Sequence, residues 1–207
     1  MAIKTSWAAG DVLAAADLTD TFAAKSDSAS PTFTGTVDMT GATVLGVGGG
    51  LVYITSGTGA SAASIIVNNC FTSDYANYRI VLTLAASNDT TLNMRLRAAG
   101  TDNSTASSYL MQRINANTTT VGGLQDIANQ WQGPLLYTAG INPASMDVYG
   151  PQLASWTTIT AHGFYSAGSA QLFSGRHDQA TAYDGFTIYP AAGTISGTVR
   201  IYGYQNA

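Results

Sequence analysis

Residues 78–84 read Tyr-Arg-Ile-Val-Leu-Thr-Leu, and every even position is apolar. Side chains of a β-strand point alternately to two faces, so a period of two marks a strand with one buried side. Leu92-Asn93-Met94-Arg95-Leu96-Arg97-Ala98 repeats the pattern, with Leu92, Met94 and Leu96 inward and Asn93, Arg95 and Arg97 outward. Ser87-Asn88-Asp89 between them is turn chemistry. Together the two segments predict a hairpin and commit the chain to a β core.

The remainder of residues 51–207 fits the same frame. Strands are expected at 51–55, 64–67, 109–114, 135–137, 145–149, 156–161, 185–189 and 198–204. Residues 115–130 are polar and interrupted by Gly122-Gly123, which reads as a long loop. Short strands separated by Gly, Asn, Asp and Pro turns predict an antiparallel β-sandwich or jelly-roll head. The chain holds no Glu and only two Lys, while Thr and Tyr are abundant. Thr and Tyr suit half-buried strands, and Glu and Lys suit helices, so composition agrees with a mainly β chain.

Charged residues make up 10% of the sequence, against about 25% in an ordinary domain. A surface so poor in charge is covered by hydroxyls, amides and small residues. It suits burial between subunits or a long-lived extracellular particle. The net charge is −4 and no Lys/Arg cluster occurs, so nucleic acid is not an expected partner. Cys70 is alone, which rules out an intrachain disulfide and a multi-cysteine zinc site. Its neighbours Ile65-Ile66-Val67 predict a buried thiol. The first residues lack the apolar core of a signal peptide, and no apolar run nears the ~20 residues of a spanning helix. Synthesis in a cytoplasm without membrane insertion is expected, with export only as part of an assembly.

The first 50 residues differ in kind. Ala14–Ala24 has high helix propensity, and Leu13 and Leu18 occupy hydrophobic-staple positions if Ala14 is the N-cap. Phe22 follows Leu18 by four, on the same face. With Trp7 they would form one sticky edge. A helix this short is marginal alone and needs a surface to dock on; the other reading is a frayed tail. Residues 29–50 are Thr- and Gly-rich with one charge, Asp38. They read either as a flexible linker or as an extended neck that becomes stable beside copies of itself. Phe33 and Val37, four apart, point the same way in an extended chain. In a three-fold bundle they would lie on the axis, continued by Val44 and Leu45, before Gly48-Gly49-Gly50 forms a hinge.

Three stretches resemble tailed-bacteriophage fibre and virion proteins. Ser30-Pro31-Thr32-Phe33-Thr34-Gly35-Thr36-Val37 is similar to the S-P-x-F-T-G-T-V unit that begins thin trimeric shafts. Trp7-x-x-Gly10-Asp11-Val12-Leu13-x-Ala15-Ala16-Asp17-Leu18 resembles an N-terminal segment of phage virion proteins, with Ala14 and Thr19 where that family usually has Thr and Asn. Losing the Thr removes a plausible N-cap hydroxyl worth about 1 kcal/mol. Tyr75-x-x-Tyr78-Arg79-Ile80-Val81, Leu96-Arg97-x-x-Gly100-Thr101-Asp102, Asp184–Pro190 and Ile195–Tyr204 resemble, in order, a β-sandwich domain of phage fibres. The resemblance implies a structural role on a virion, as a tail or head fibre or a capsid decoration, and no enzymatic activity. It implies a homotrimer: residues 1–28 attach it to another virion protein, 29–50 form the neck, and 51–207 form a head that meets a host surface.

The residues themselves offer little chemistry. Only two histidines occur, His162 and His177, and there is no G-x-S-x-G elbow. Without Glu, a glycosidase pair would have to be two Asp, yet Asp74, Asp89, Asp102, Asp178 and Asp184 all stand in turn-like contexts. Gly46–Gly50 lacks the G-x-G-x-x-G fingerprint. We therefore expect no enzyme, no cofactor and no metal, although His177-Asp178 with Asp184 is a conceivable ligand set. Trp131, Tyr149, Trp156 and Tyr165 are candidate glycan platforms; the competing assignment puts them in the core or a subunit interface. The alternative function is a monomeric carbohydrate-binding β-sandwich module with a disordered N-terminal tail.

Overall fold

The computed structural model describes residues 50–205, apart from 139 and 166–168. The predicted N-terminal helix, the neck and the side chains Trp7, Leu13, Leu18, Phe22, Phe33, Val37, Val44 and Leu45 lie outside the described residues.

The described chain is mainly β, with thirteen strands: β1 (Leu51–Ala62), β2 (Ile65–Val67), β3 (Asn77–Ala86), β4 (Thr90–Ala98), β5 (Thr101–Asp102), β6 (Tyr109–Asn117), β7 (Thr120–Ala128), β8 (Trp131–Leu136), β9 (Asn142–Tyr149), β10 (Thr157–Tyr165), β11 (Ser169–His177), β12 (Gly185–Pro190) and β13 (Ile195–Tyr204). They form two antiparallel sheets. The larger has the order β1-β13-β3-β9-β10-β11-β6-β7. In the smaller, β2-β12-β4 continues to β5, and β8 also pairs with β4.

The alternating segments bury the faces expected of them. Tyr78, Ile80, Leu82 and Leu84 are buried, as are Leu92, Met94 and Leu96. Their pairing is not the expected hairpin. β3 bonds to β13 and β9 in one sheet, and β4 bonds to β12 in the other. Alternation reports which face of a strand is buried and carries no information about its partner. Here residues 87–89 carry the chain from one sheet to the other, so the two apolar rows meet across the core. Phe71, Phe186, Ile188, Val199 and Ile201 join the same cluster. Cys70 is fully buried, and burial pushes its thiol up to about 12, as expected of an inert structural cysteine.

Eight strands make the sandwich: β1-β13-β3-β9 on one side and β2-β12-β4-β8 on the other. Two hairpins are inserted into it. β6–β7 follows β5, and β10–β11 follows β9; both add to the larger sheet beyond β9. Residues 115–130 are therefore not a loop. β6 runs to Asn117, and β7 pairs with it in unbroken register from Ala128 to Thr120.

The inserted strands are held from inside by β8. Trp131 is 0% exposed and sits against Gly175, where an added Cβ would lie 2.7 Å from the indole nitrogen. Only a residue without a side chain lets the ring approach the β11 backbone this closely. Tyr109 meets Trp131 edge to face at 5.1 Å and lies 4.1 Å from the His177 ring.

Candidate functional site

The outer face of the large sheet spans eight strands, and strand register orders it into rows. The row nearest the end where β1 begins holds Tyr149, Thr158, Arg176, Leu110 and Ile127. The next holds Tyr53, Tyr202, Arg79, Asp147, Thr160, Ser174, Gln112 and Gln125. Further along come Ser56, Arg200, Val81, Ser145, His162, Leu172, Ile114 and Gly123. At the far end Thr58, Thr198 and Thr83 stand over β1, β13 and β3, whereas Phe164, Ala170, Ala116 and Val121 stand over the inserted strands.

The middle of this face is closed by its own bonds. Arg79 grips Asp147 with two hydrogen bonds of 2.8 Å, and the Tyr204 hydroxyl donates to the same carboxylate at 2.6 Å. The Arg79 guanidinium holds the Asp147 carboxyl below the usual carboxylate range. The far end over the inserted strands is open and apolar. Phe164 is 65% exposed and Val121 70%, and Leu172 and Ile114 are exposed between them.

The candidate platforms separate cleanly. Trp131 is in the core and offers no ring to a ligand, which corrects its assignment; the Gly175 gap that receives it leaves no mark on the local pattern around residue 131. Trp156 is 59% exposed, with the Arg176 guanidinium 4.2 Å from its ring centroid. Tyr149 is exposed on the same row as Arg176. A shallow groove of about 460 Å³ beside Arg176 is lined by Leu110, Gln112, Gln125, Thr158, Thr160 and Ser174. Among the described residues Arg176 has no ion-pair partner. Tyr165 ends β10, and its side chain lies outside the description.

The two histidines have different surroundings. His162 Nε2 is 3.0 Å from Ser145 Oγ on the exposed face, a pair the sequence did not suggest because 17 residues separate them. A serine nucleophile needs its base oriented by a third group. The nearby Asp147 is engaged by Arg79 and Tyr204. His177 is buried, with Nδ1 3.1 Å from the Ser108 carbonyl and Nε2 2.6 Å from the Tyr183 hydroxyl. The carbonyl can only accept, so Nδ1–H donates to it and Tyr183 O–H donates to Nε2. Burial lowers the His177 pKa, and Asn103 donates to Tyr183 at 2.7 Å to complete the chain. With both nitrogens occupied, His177 has no lone pair left for a metal, and Asp184 accepts from the Ala99 amide at 2.9 Å. No cluster of three metal-ligating side chains occurs among the described residues.

The small sheet's outer face is closed as well. Arg97 donates to Asn68 and Thr187, each at 2.9 Å, and to Asp102 and the Gly100 carbonyl. Arg95 lies 5.2 Å from the Tyr189 ring and bonds Gln130 at 3.0 Å. Asn93 and Arg97, predicted outward, do face outward but are buried beneath these contacts.

Comparison with protein-family models, with curated proteins and with solved structures gives no match for this chain.

Proposed function

We propose that this chain is a bacteriophage virion structural protein, a short homotrimeric fibre with a jelly-roll head. The carrying observation is an order of parts: a W-x-x-G-D-x-L segment at Trp7, the S-P-T-F-T-G-T-V unit at Ser30, then a β head starting at Leu51. Two further features support it. The alternation β1-β13-β3-β9 over β2-β12-β4-β8 is the strand order of two Greek keys wound as a jelly roll, an architecture of capsid and lectin domains. The open face of the large sheet carries an apolar end of the kind that marks a contact surface.

In this reading residues 1–28 dock on another virion protein, and the helix and the neck at 29–50 gain stability when three chains bury Leu18, Phe22, Phe33 and Val37 together. The head then projects towards a host surface or decorates the particle. The test is the solution mass of the intact chain and of the Phe33→Ser, Val37→Ser variant. The fibre reading expects the variant to lose three-chain assembly. An intact chain that is monomeric, or a variant whose assembly is unchanged, overturns the neck as the trimer seat.

A second reading, a carbohydrate-binding module, rests on Trp156, Arg176 and the largely apolar groove beside them, where Gln112, Gln125, Thr158, Thr160 and Ser174 supply hydrogen-bonding groups. It expects Trp156→Ala to abolish retention on immobilised saccharides by a monomeric protein. Absence of saccharide binding by the intact chain removes it.

A further inference from the structure

Strand β7 ends the large sheet, and among the described residues no strand pairs with its outer side. Its nine residues pair with β6 without a register shift and contain no Pro, Lys or Arg. The opposite edge is different: β1 breaks register twice, between Tyr53 and Thr55 and between Gly59 and Ala62. Bulges, prolines and lysines are among the ways edge strands avoid pairing with other chains, and β7 has none of these; its one charge is Asp126, which is held by Gln132.

The unsatisfied groups of this edge can be assigned. The Ile127 amide donates to Asp126 Oδ1 at 2.9 Å, so it points away from β6. In an antiparallel strand the amide and carbonyl of alternate residues face the same side. Val121, Gly123, Gln125 and Ile127 therefore present their backbone groups outward.

We propose that β7 pairs with β7 of a second copy of this chain, antiparallel, about a two-fold axis at Leu124. The strand is self-complementary in that register. Val121 faces Ile127 of the second copy, and Gly123 faces Gln125, each as a doubly hydrogen-bonded pair. The one charge on the strand, Asp126, faces Gly122 and never its own copy. Shifting the pairing by two residues either way shortens the overlap and removes the Val121–Ile127 match. Pairing also continues the outer faces of the two large sheets into one surface. The contact it must replace is the Ile127–Asp126 bond; Asp126 keeps its bond to Gln132. This inference concerns the head edge and stands apart from the neck reading.

Two measurements on the intact chain test it. Val121→Lys with Ile127→Lys alters two exposed side chains and puts charge on the edge. The expected result is a solution mass at least twofold below that of the unaltered chain. The number of chains left in the variant reports on the neck, and the ratio reports on β7, so the two readings fail separately. Leu124 meets its copy in a non-hydrogen-bonded pair, where Cα atoms lie about 4.5 Å apart, within disulfide range. Leu124→Cys should oxidise to a covalent dimer, while Gly122→Cys, displaced from the axis, should not. An unchanged mass in the lysine variant, or equal cross-linking at the two cysteine positions, overturns the proposal.

Discussion

The two halves of the large sheet obey different rules. Over β1, β13, β3 and β9 the inner face is a continuous apolar core against the second sheet, and the outer face is mostly hydroxyl-bearing side chains with Val81, Arg200 and the Arg79–Asp147–Tyr204 clamp. Over β10, β11, β6 and β7 the inner face includes Gln171, Gly175 and His177, held chiefly around Trp131, and the outer face exposes Phe164, Leu172, Ile114 and Val121. The second half buries Tyr109, Met111, Ile159, Ala161 and Phe173 in the same core and in addition exposes apolar side chains that do nothing for the isolated head. Stability and contact are thus divided between the original sandwich and its inserted hairpins.

The sharpest way to break this division is Trp131→Ala. Removing a fully buried Trp costs about 3–5 kcal/mol. Denaturant unfolding with hydrogen exchange should show β10, β11 and β6 losing protection first. Uniform loss across both halves would mean the insertions are not a separable layer. Next comes a matched pair of leucines. Leu82→Ala, on the inner face of the first half, should cost about 2–5 kcal/mol. Leu172→Ala, on the outer face of the second, should change stability by less than about 0.5 kcal/mol. Equal costs would deny that the outer apolar end is idle in the single head.

Acid separates the halves by their titrating groups. His177 is held neutral, with its folded pKa lowered by burial. The unfolded chain therefore binds the proton more readily, and stability is full above the unfolded value of about 6.5 and falls as pH drops through the lowered one. Asp147, in the first half, has its folded pKa lowered by Arg79, so its contribution is full above about 3.9 and is lost only below that. Hydrogen exchange near pH 5 should show the inserted strands loosening while the first half keeps its protection. His177→Gln should flatten that step. The smallest effect is at the β6–β7 turn, where Thr118 adopts a φ of +54° that β-branched residues disfavour. Thr118→Gly should stabilise by less than about 1 kcal/mol, read as a small rise in Tm.

The first half was legible because its strands alternate cleanly. Tyr78–Leu84 and Leu92–Leu96 announced their buried faces, though not that they belong to different sheets. The second half was legible only in part: β6 and β10 were expected at 109–114 and 156–161, whereas β7 and β11 were missed, for a physical reason. β11 turns Gln171, Gly175 and His177 inward, so its apolar residues do not mark its buried side. β7 buries almost nothing, and its Val121, Leu124 and Ile127 fall at a spacing of three. Trp131 was offered both as a platform and as a core residue, because an aromatic alone does not say which, and it lies in the core. Its seat is a glycine 44 positions later. Trp156 and Tyr149, given the same two assignments, are exposed in the head.

The most direct test of the account is the mass of the intact chain in solution by light scattering. A fibre built on the Phe33–Val37 neck gives three chains, or six where β7 edges also pair. A single chain of 21.4 kDa would contradict it.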